Sequence, residues 1–594
     1  MTTKRVLLGS ALLFLLVGLA AGWLGSRGLV AKRELTAAQG DLTSARTALL
    51  DQRTDDANAA VTSAGRHTAR ARAMVEDPFF RAATHLPIFG TSVYVASQLA
   101  TTADTLAGEL LPQAIRSAES LNPQRLRGPD GGIDVALLQR VVPQLDAVAS
   151  RLTALAAHTH RLPQANVAGV IDRPRQRFVG QLDQLNQVVT AAARAVDLAP
   201  ALLGADRPRR YFVLIQQTSE SRGTGGLPGG FAILVANHGR LSVAAQGTDA
   251  DLHNGPIPVP PGVPQDYVDL YERQYGVFDI WQNVNVSPDL PVVARVVAAR
   301  WQHQSGQHVD GVIALDALAL ADILRGSGPV DLGGRQIAPA QLPDYLAVGQ
   351  YRDFAAFDRQ AARKEKLTMV ARAATARLVQ GGGSTADLLR GLIDAVRSGH
   401  LRMASDDPAL GPSLRAAHID GALPGGTAPL AYPVLFNSTG GKLDYFLSRS
   451  VRYDAGPCTG ARRRSTITVD LRDDAPTTGL PPYLTIKIDG TRQTVTYDAG
   501  VTLSVYGTRG AFLRKATLDG HPLPGRPRSA DSPYLTGATE GGLPLWYLYL
   551  DVPRGHTRRL VLQLDEPVVR GAARVPVQPL ARPLTAAAAV PTCG

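Results

Sequence analysis

The stretch from Tyr211 to Phe231 reads YFVLIQQTSESRGTGGLPGGF and continues as the apolar run Phe231–Ala236, FAILVA. Its two apolar ends are typical of buried strands, and a glycine-rich loop separates them. A further run, Arg240–Ala245 (RLSVAA), follows an Asn-His-Gly turn and predicts another strand. The stretch therefore predicts a β-sheet whose strands are joined by turns.

Helical patterns alternate with strand patterns further along the chain. Leu290–Gln304 and Ala317–Arg325 predict helices, and Asp310–Leu315 (DGVIAL) predicts a strand between them. A longer helix is predicted over Arg359–Val379, which a run of glycines ends. Alternating strands and helices indicate a layered α/β domain over about residues 206–400.

Length and composition indicate a folded protein of several domains. The chain has 594 residues, 45% of them hydrophobic and 19% charged, which at about 100–200 residues per domain predicts two to four domains. The formal net charge is +11. Because no zinc finger, helix-turn-helix or RNA-binding signature accompanies this charge, we do not expect a nucleic-acid partner. Anionic lipid headgroups or cell-wall polymers are the expected partners.

An uncharged run near the start of the chain predicts a membrane anchor. Val6–Gly25 reads VLLGSALLFLLVGLAAGWLG, and a run of about 20 apolar residues is long enough to cross a bilayer as a helix. Residues 1–25 are therefore predicted to be a cytoplasmic start and a transmembrane signal-anchor. The alternative is a cleaved signal peptide, because a short basic start and small residues after the apolar core also fit that pattern.

The two cysteines indicate the compartment. Cys458 follows a Gly-Pro pair and Cys593 is the penultimate residue. A single pair is typical of a disulfide, whereas a structural zinc site needs about four clustered donors. A disulfide persists outside the cytoplasm, so we expect the bulk of the chain to be extracytoplasmic. The alternative is two unrelated thiols.

Composition divides the rest of the chain. Residues 26–205 are rich in alanine and predict a helical spacer or bundle, which prolines including Pro143 are expected to break into separate helices. Residues 401–430 form a connector. Short alternating runs such as Thr466–Arg472 (TITVDLR), separated by Pro and Gly turns, predict a β-sandwich over 431–594 with a disulfide-pinned tail.

Several sequence elements together resemble an actinobacterial membrane-anchored family, number 4012 of the domains of unknown function (DUF 4012). The first is a Glu-x-Arg-x-Thr-Gly-Gly element made by Glu220, Arg222, Thr224, Gly225 and Gly226. The others are Asn285-Val286-Ser287-Pro288-Asp289, Val309–Asp316, Gly328-Pro329-Val330, Phe436-Asn437 and Lys442-Leu443-Asp444-Tyr445. The resemblance spans about residues 75–480. It implies no activity.

A more distant resemblance is to the LytR-CpsA-Psr proteins, which transfer glycan polymers from a polyprenyl-pyrophosphate lipid to the cell wall. It rests on the order of strands, on Asp249-x-Asp251 and on the stretch from Tyr351 to Gln360. The resemblance implies a LytR-CpsA-Psr-like fold and a glycan phosphotransferase-like activity. Asp249, Asp251 and Arg359 are then the candidate catalytic residues.

Cations predict an anion site beside these residues. Arg359, Arg363 and Lys366 follow each other at helical spacing, and arginine binds phosphate oxygens with two parallel hydrogen bonds. We expect Arg352 and Arg363 to bind the ligand together with Glu220, Arg222, Thr224, Gly225 and Gly226. The alternative is a solvated helix face paired with nearby acidic residues.

Two further features have a functional and a structural interpretation. Residues 223–230 are rich in glycine, but no Gly-Lys-Ser or Gly-Lys-Thr ending follows, which excludes a P-loop and favours a structural hairpin. Asp249 and Asp251 are candidate Mg²⁺ ligands, or else parts of a polar loop. The histidines show no metal-ligand spacing.

The sequence thus predicts an α+β multi-domain protein that is a single-pass component of the cell envelope. The first hypothesis is that it binds or transfers a polyprenyl-phosphate-linked glycan. The alternative is a non-catalytic envelope scaffold or adhesion protein. Burial of Arg222, Asp251 and Arg359 around one cleft would favour ligand binding, and their dispersal would favour the scaffold.

Overall fold

The computed structural model describes residues 26–45, 47–48, 53–87, 89–121, 125–128, 131–164, 172–332, 334–354, 362–363, 385–489, 492–527 and 532–593. It shows an α+β protein with two compact units, Met1–Pro200 and Ala201–Gly594. The predicted span Val6–Gly25 lies outside the described residues. Within the ranges above, none of the helices combines the length and the apolar character needed to cross a bilayer.

The first unit is helical. Helix α1 occupies residues 26–45. The helices that follow are α2 (Thr54–Val75), α3 (Pro78–Ala83), α4 (Gly90–Asp104), α5 (Leu111–Ser120), α6 (Val135–His160) and α7 (Asp172–Leu202). A π-helical turn, Thr105–Leu110, joins α4 to α5. The elements named above are thus all helical.

Pro143 does not break a helix, contrary to the prediction from sequence. It lies inside α6, which continues for its full 26 residues. The apolar face of α6 packs Val141, Leu145 and Ala149 against Ala193 of α7. Proline removes one backbone donor, and burial of the flanking apolar residues offsets that loss.

The second unit begins with a five-stranded mixed sheet of order β3-β2-β1-β4-β7. Its strands are β1 (Arg209–Arg222), β2 (Gly225–Asn237), β3 (Arg240–Thr248), β4 (Gly311–Asp316) and β7 (Leu401–Ala404). Strands β1 and β4 run parallel and the other neighbours antiparallel. Residues 401–404, which the sequence places in a connector, thus form an edge strand of this sheet.

Helices and short strands accompany the five-stranded sheet. They are α8 (Gln265–Tyr275), α9 (Leu290–Ser305), α10 (Ala317–Ile323), β5 (Val330–Asp331), β6 (Gln336–Ile337), α11 (Leu342–Asp344), α12 (Gln350–Asp353), α13 (Thr385–Arg397) and α14 (Gly411–Ala416). Aromatic side chains form the core between sheet and helices: Phe212 stacks on Phe231 and on Trp281, with ring centroids 5.6 and 5.7 Å away. The long helix predicted over Arg359–Val379 lies outside the described residues except at residues 362–363.

Two sheets pack face to face in the last part of the chain. One has the order β15-β14-β18-β10-β9-β19 and the other β16-β17-β13-β8. Their strands are β8 (Ala431–Asn437), β9 (Leu447–Ala455), β10 (Arg462–Asp473), β13 (Ala499–Gly507), β14 (Phe512–Leu518), β15 (His521–Pro522), β16 (Thr536–Glu540), β17 (Leu543–Val552), β18 (Thr557–Pro567) and β19 (Leu584–Ala589), and a separate hairpin holds β11 (Ile486–Asp489) and β12 (Arg492–Val495). Alternate residues of β10, such as Ile467, Val469 and Leu471, are buried in the shared core.

The predicted disulfide between Cys458 and Cys593 is present. It joins the loop after β9 to the end of the chain. Strand β19, which lies shortly before Cys593, pairs in parallel with β9. The C-terminal tail is therefore part of the sandwich, held by a strand ladder and a covalent bond.

Candidate functional site

The β1–β2 hairpin carries the Glu-x-Arg-x-Thr-Gly-Gly element at its turn. Strand β1 ends at Arg222 and β2 begins at Gly225. A Cβ on Gly223 would lie 2.3 Å from the carbonyl carbon of Ser287, and one on Gly226 would lie 2.3 Å from the carbonyl carbon of Gln217. Backbone packs directly on backbone at both positions, so only glycine fits there.

Glu220 forms a buried ion pair with Lys442. Both side chains are almost fully enclosed, and the ammonium group lies 5.5 Å from the ring centroids of Tyr351 and Tyr483. Burial lowers the pKa of Lys442, and the charge of Asp444 opposes that effect. The pair joins the first sheet to the loop that precedes β9.

The next residue, Ser221, is bound by Asp444. Oδ2 of Asp444 accepts hydrogen bonds from the Ser221 backbone nitrogen and hydroxyl, at 2.9 and 2.5 Å. Oδ1 accepts a third from the amide of Asn437 at 2.9 Å. Burial raises the pKa of Asp444, and these hydrogen bonds act in the opposite direction because they stabilise the ionised form.

Arg222 is buried among backbone carbonyls. Its Nε donates to the carbonyl of Gln282 at 3.2 Å, and Nη1 donates to that of Asn437 at 3.3 Å. The guanidinium carbon lies 4.3 Å from the ring centroid of Phe436. Burial lowers the pKa of Arg222 to about 10, so the group stays charged at neutral pH. Its position fits a structural cation that holds three segments together.

Thr224 and Asn285 close the turn. The Thr224 hydroxyl accepts hydrogen bonds from the amides of Gln216 and Asn285, at 2.5 and 2.9 Å. The Asn285 amide also donates to the carbonyl of Gly226 at 2.8 Å. Gly225 has φ +144°, and a Cβ there would lie 2.5 Å from Gln216 Oε1. The turn is therefore shaped by internal hydrogen bonds.

These contacts form one connected group, which we name the signature network. It consists of Glu220, Ser221, Arg222, Thr224, Asn285, Asn437, Lys442 and Asp444. The fold thus brings together pieces that are far apart in sequence. All of them belong to the elements on which the family resemblance rests.

The other predicted ligand residues lie in different surroundings. Asp251 is exposed and caps the short turn Asp249–Asp251, because its Oδ2 accepts from the Thr248 backbone nitrogen at 2.8 Å. Asp249 is half-buried and Arg352 is exposed. Arg359 lies outside the described residues.

Arg363 is a buried member of the predicted ligand-binding residues. Its Nη1 donates to Gln350 at 3.2 Å, and its guanidinium carbon is 4.7 Å from the ring centroid of Tyr351. Tyr351 also faces Lys442. Burial raises the pKa of Tyr351, and the charge of Asp249 adds to that rise. Tyr351 therefore has both Arg363 and Lys442 of the signature network beside its ring.

A second buried hydrogen-bond network, around Glu540, was not predicted from the sequence. Glu540 accepts hydrogen bonds from the Ser287 hydroxyl at 2.6 Å, from Tyr271 at 2.7 Å and from Tyr506. Burial raises the pKa of Glu540 to about 7. No local signal marks Glu540, because a glutamate followed by two glycines is typical of an exposed turn.

A crevice opens beside this second network, between α8 and the outer face of the β8-β13-β17 sheet. Four tyrosines and a phenylalanine contribute to its walls: Tyr271, Tyr275, Tyr506, Tyr547 and Phe436. None of the lining residues is charged. The crevice therefore does not have the cations that a pyrophosphate group would need.

A metal site has no structural support in the described ranges. No three histidine, cysteine, aspartate or glutamate side chains there are grouped as metal ligands. Mg²⁺ binding at Asp249 and Asp251 stays a prediction.

Comparison with known proteins supports one of the two resemblances. No curated protein and no solved structure matches the chain, and the resemblance to the LytR-CpsA-Psr proteins stays a prediction. The family match is shorter than the predicted range of about 75–480. Residues 206–351, which include β1 to β4 and the Glu-x-Arg-x-Thr-Gly-Gly hairpin, match the family described as protein of unknown function, DUF4012.

Proposed function

We propose that this chain is a non-catalytic scaffold of the cell envelope, anchored in the membrane, with its folded parts outside the cytoplasm. One observation carries the proposal. The signature network joins the first sheet of the second unit to its β-sandwich through Glu220–Lys442, Ser221–Asp444 and Arg222–Asn437. The residues that the family resemblance singles out thus have a sufficient structural role in holding two layers in a fixed arrangement.

The placement of Arg222, a predicted ligand-binding residue, and of Asp251, a candidate catalytic residue, supports the scaffold over glycan transfer. A pyrophosphate site needs several donors that converge on one cleft. Arg222 is stacked on Phe436 and bound to backbone carbonyls, whereas Asp251 is an exposed cap. The two side chains serve separate parts of the fold, as expected for a scaffold.

The disulfide supports the proposed compartment. Cys458 and Cys593 are oxidised, and disulfides persist mainly in oxidising environments outside the cytoplasm. The apolar run Val6–Gly25 supplies the proposed anchor. Together they favour one topology, with the anchor first and the residues that follow it outside.

Binding and stability measured on the same variants test the proposal. The full chain in detergent micelles is titrated with a polyprenyl-pyrophosphate analogue, and thermal transitions are recorded for wild type, Glu220→Gln and Asp249→Asn. We expect no saturable binding by any of them and a lower transition temperature for Glu220→Gln, because its buried partner Lys442 loses its counter-charge.

Binding that depends on Asp249 would contradict the scaffold. Saturable binding by the wild type that weakens about tenfold or more in Asp249→Asn, at an unchanged transition temperature, would overturn the scaffold in favour of ligand binding. Asp454→Asn, at an exposed ion pair with Arg452, is the matched control for loss of a carboxylate. It should change neither quantity.

A further inference from the structure

The start of α1 and the end of α2 lie at the same end of the first unit. The described part of α1 begins at residue 26 and α2 ends at Val75, and α3 follows before α4 begins at Gly90. Arg27 lies 3.7 Å from the carboxylate of Asp77, and its Nη1 donates to the sulfur of Met74 at 3.0 Å. Further along, His67 lies 2.6 Å from Glu34. Helices α1 and α2 are therefore antiparallel, and the start of α1 lies beside the α2–α3 corner.

This end of the bundle exposes large apolar side chains. Phe79 is 71% exposed, Leu29 60%, Phe89 54%, Leu86 47% and Val30 40%. We name these five residues the apolar cap. Soluble surfaces show single exposed apolar residues often, but a group at one place marks a contact with a partner or a membrane.

The local structure holds Phe79 outward. Asp77 caps α3 by accepting a hydrogen bond from the Phe79 backbone nitrogen at 2.9 Å. Phe80, the next residue, is buried with Ala31 and Val75 in the core of the bundle. Because neighbouring residues on a helix point in different directions, burial of Phe80 directs Phe79 away from that core.

The sequence before α1 indicates what covers the cap. The uncharged run Val6–Gly25 ends next to the first described residue of α1. Leu29 is four residues beyond that run, which along a helix is a rise of about 6 Å. If the run spans a bilayer, Leu29 lies at the level of the lipid headgroups, and Phe79 lies nearby, two residues after the Asp77 that contacts Arg27.

The basic side chains at this end of the bundle are also consistent with contact to a lipid surface. Arg27, Lys32 and Arg33 belong to the first two turns of α1, and Arg81 belongs to α3. Lys32, Arg33 and Arg81 are exposed. Basic side chains around exposed phenylalanines are typical of protein segments that bind anionic lipid surfaces.

We propose that the apolar cap docks on the lipid bilayer, with Phe79 and Phe89 inserted at the boundary between headgroups and acyl chains. The proposal rests on the membrane anchor of the proposed function. It assigns the first unit a second contact with the bilayer besides the anchor. A single attachment point would leave the bundle free to tilt, and a docked end restricts its orientation.

Photo-crosslinking of the full chain tests the docking. Phe79, Phe89 or Val188 is replaced by the photoreactive residue p-benzoylphenylalanine, and each protein is reconstituted into vesicles of phosphatidylcholine and phosphatidylglycerol. Val188 is the matched control, because it is 54% exposed on α7, which packs through Leu182 against Leu110. Leu110 lies about 30 Å along the helices from the start of α4.

We expect lipid adducts at positions 79 and 89 with a yield about fivefold or more above that at position 188. Equal yields at all three positions, from protein that resists extraction by alkaline carbonate, would overturn the docking and leave the anchor intact. Protein that carbonate extracts completely would overturn the anchor and the docking together. Adducts to protein at positions 79 and 89 would identify a protein as the occupant and would also overturn the proposal.

Discussion

The Asp444 carboxylate accepts two hydrogen bonds from Ser221, a residue 223 positions earlier in the chain. One comes from the backbone and one from the hydroxyl, and the amide of Asn437 donates to the other oxygen. All three residues are buried. The hydrogen bonds join β1 of the first sheet to the sandwich, so their loss should destabilise both the sheet and the sandwich.

Asp444→Ala should therefore destabilise the second unit. Three buried donors would lose their acceptor, and unsatisfied buried donors cost about 1–3 kcal/mol each when water does not replace the partner. We expect a loss of about 3 kcal/mol, which lowers the thermal transition by roughly 4 °C for a unit that spans Ala201–Gly594. Differential scanning calorimetry checks this. A shift no larger than that of the exposed control Asp454→Asn would show that the signature network does not stabilise the fold.

Glu540 should make stability depend on pH. Burial raises its pKa from the usual 4.5 to about 7, so its contribution to stability is fully present below about pH 4.5 and is lost as the pH rises to about 7. The loss in wild type should reach about 2–3 kcal/mol between pH 5 and pH 8. Glu540→Gln removes the titration.

The expected outcome is a difference that grows with pH. The transition temperature of Glu540→Gln minus that of wild type should increase from pH 5 to pH 8. Asp565→Asn is the control, since the exposed carboxylate of Asp565 has its pKa lowered by Arg462 and its removal should leave the wild-type loss in place. A constant difference between Glu540→Gln and wild type would show that Glu540 does not titrate in this range.

The sequence predicted the regular parts of the second unit well. Thr466–Arg472 lies within β10 because alternation of apolar and polar residues is a local property of a strand with one buried face. The tail strand β19 could not be predicted this way. Its residues Leu584–Ala589 are mostly exposed alanines, which have low strand propensity, and pairing with β9 and the nearby disulfide hold them.

The candidate site was predicted in part. The family resemblance pointed to Glu220, Arg222 and Asp444, but no local pattern shows that Glu220 meets Lys442. Glu540 was missed because its burial depends on Ser287, Tyr271 and Tyr506, which other segments supply. Buried polar pairs depend on tertiary contacts, and a single sequence carries no local sign of them.

Loss of the disulfide should release the tail. In the chain-entropy model a bond that closes 135 residues stabilises the fold by about 4–5 kcal/mol, an upper figure. We expect Cys458→Ser, Cys593→Ser and the double variant to lower the thermal transition equally, and hydrogen exchange in β19 to become about tenfold faster or more. Unchanged protection of β19 in the double variant would mean that the strand ladder alone holds the tail.

Gly223 provides the sharpest steric test of the hairpin. A Cβ there would lie 2.3 Å from the carbonyl carbon of Ser287 and 2.3 Å from the carbonyl oxygen of Val286. Both atoms belong to backbone that holds Asn285 and Ser287 in their hydrogen bonds, so the chain has to move to accept a methyl group. Gly223→Ala should lower the free energy of unfolding by about 3 kcal/mol or more.

Gly425→Ala is the matched control, because nothing lies within 4 Å of a Cβ at that position, and it should leave the thermal transition within about 2 °C of wild type. Equal transitions for the two variants would show that the turn accepts a side chain, and the requirement for glycine at the centre of the signature network would then be wrong.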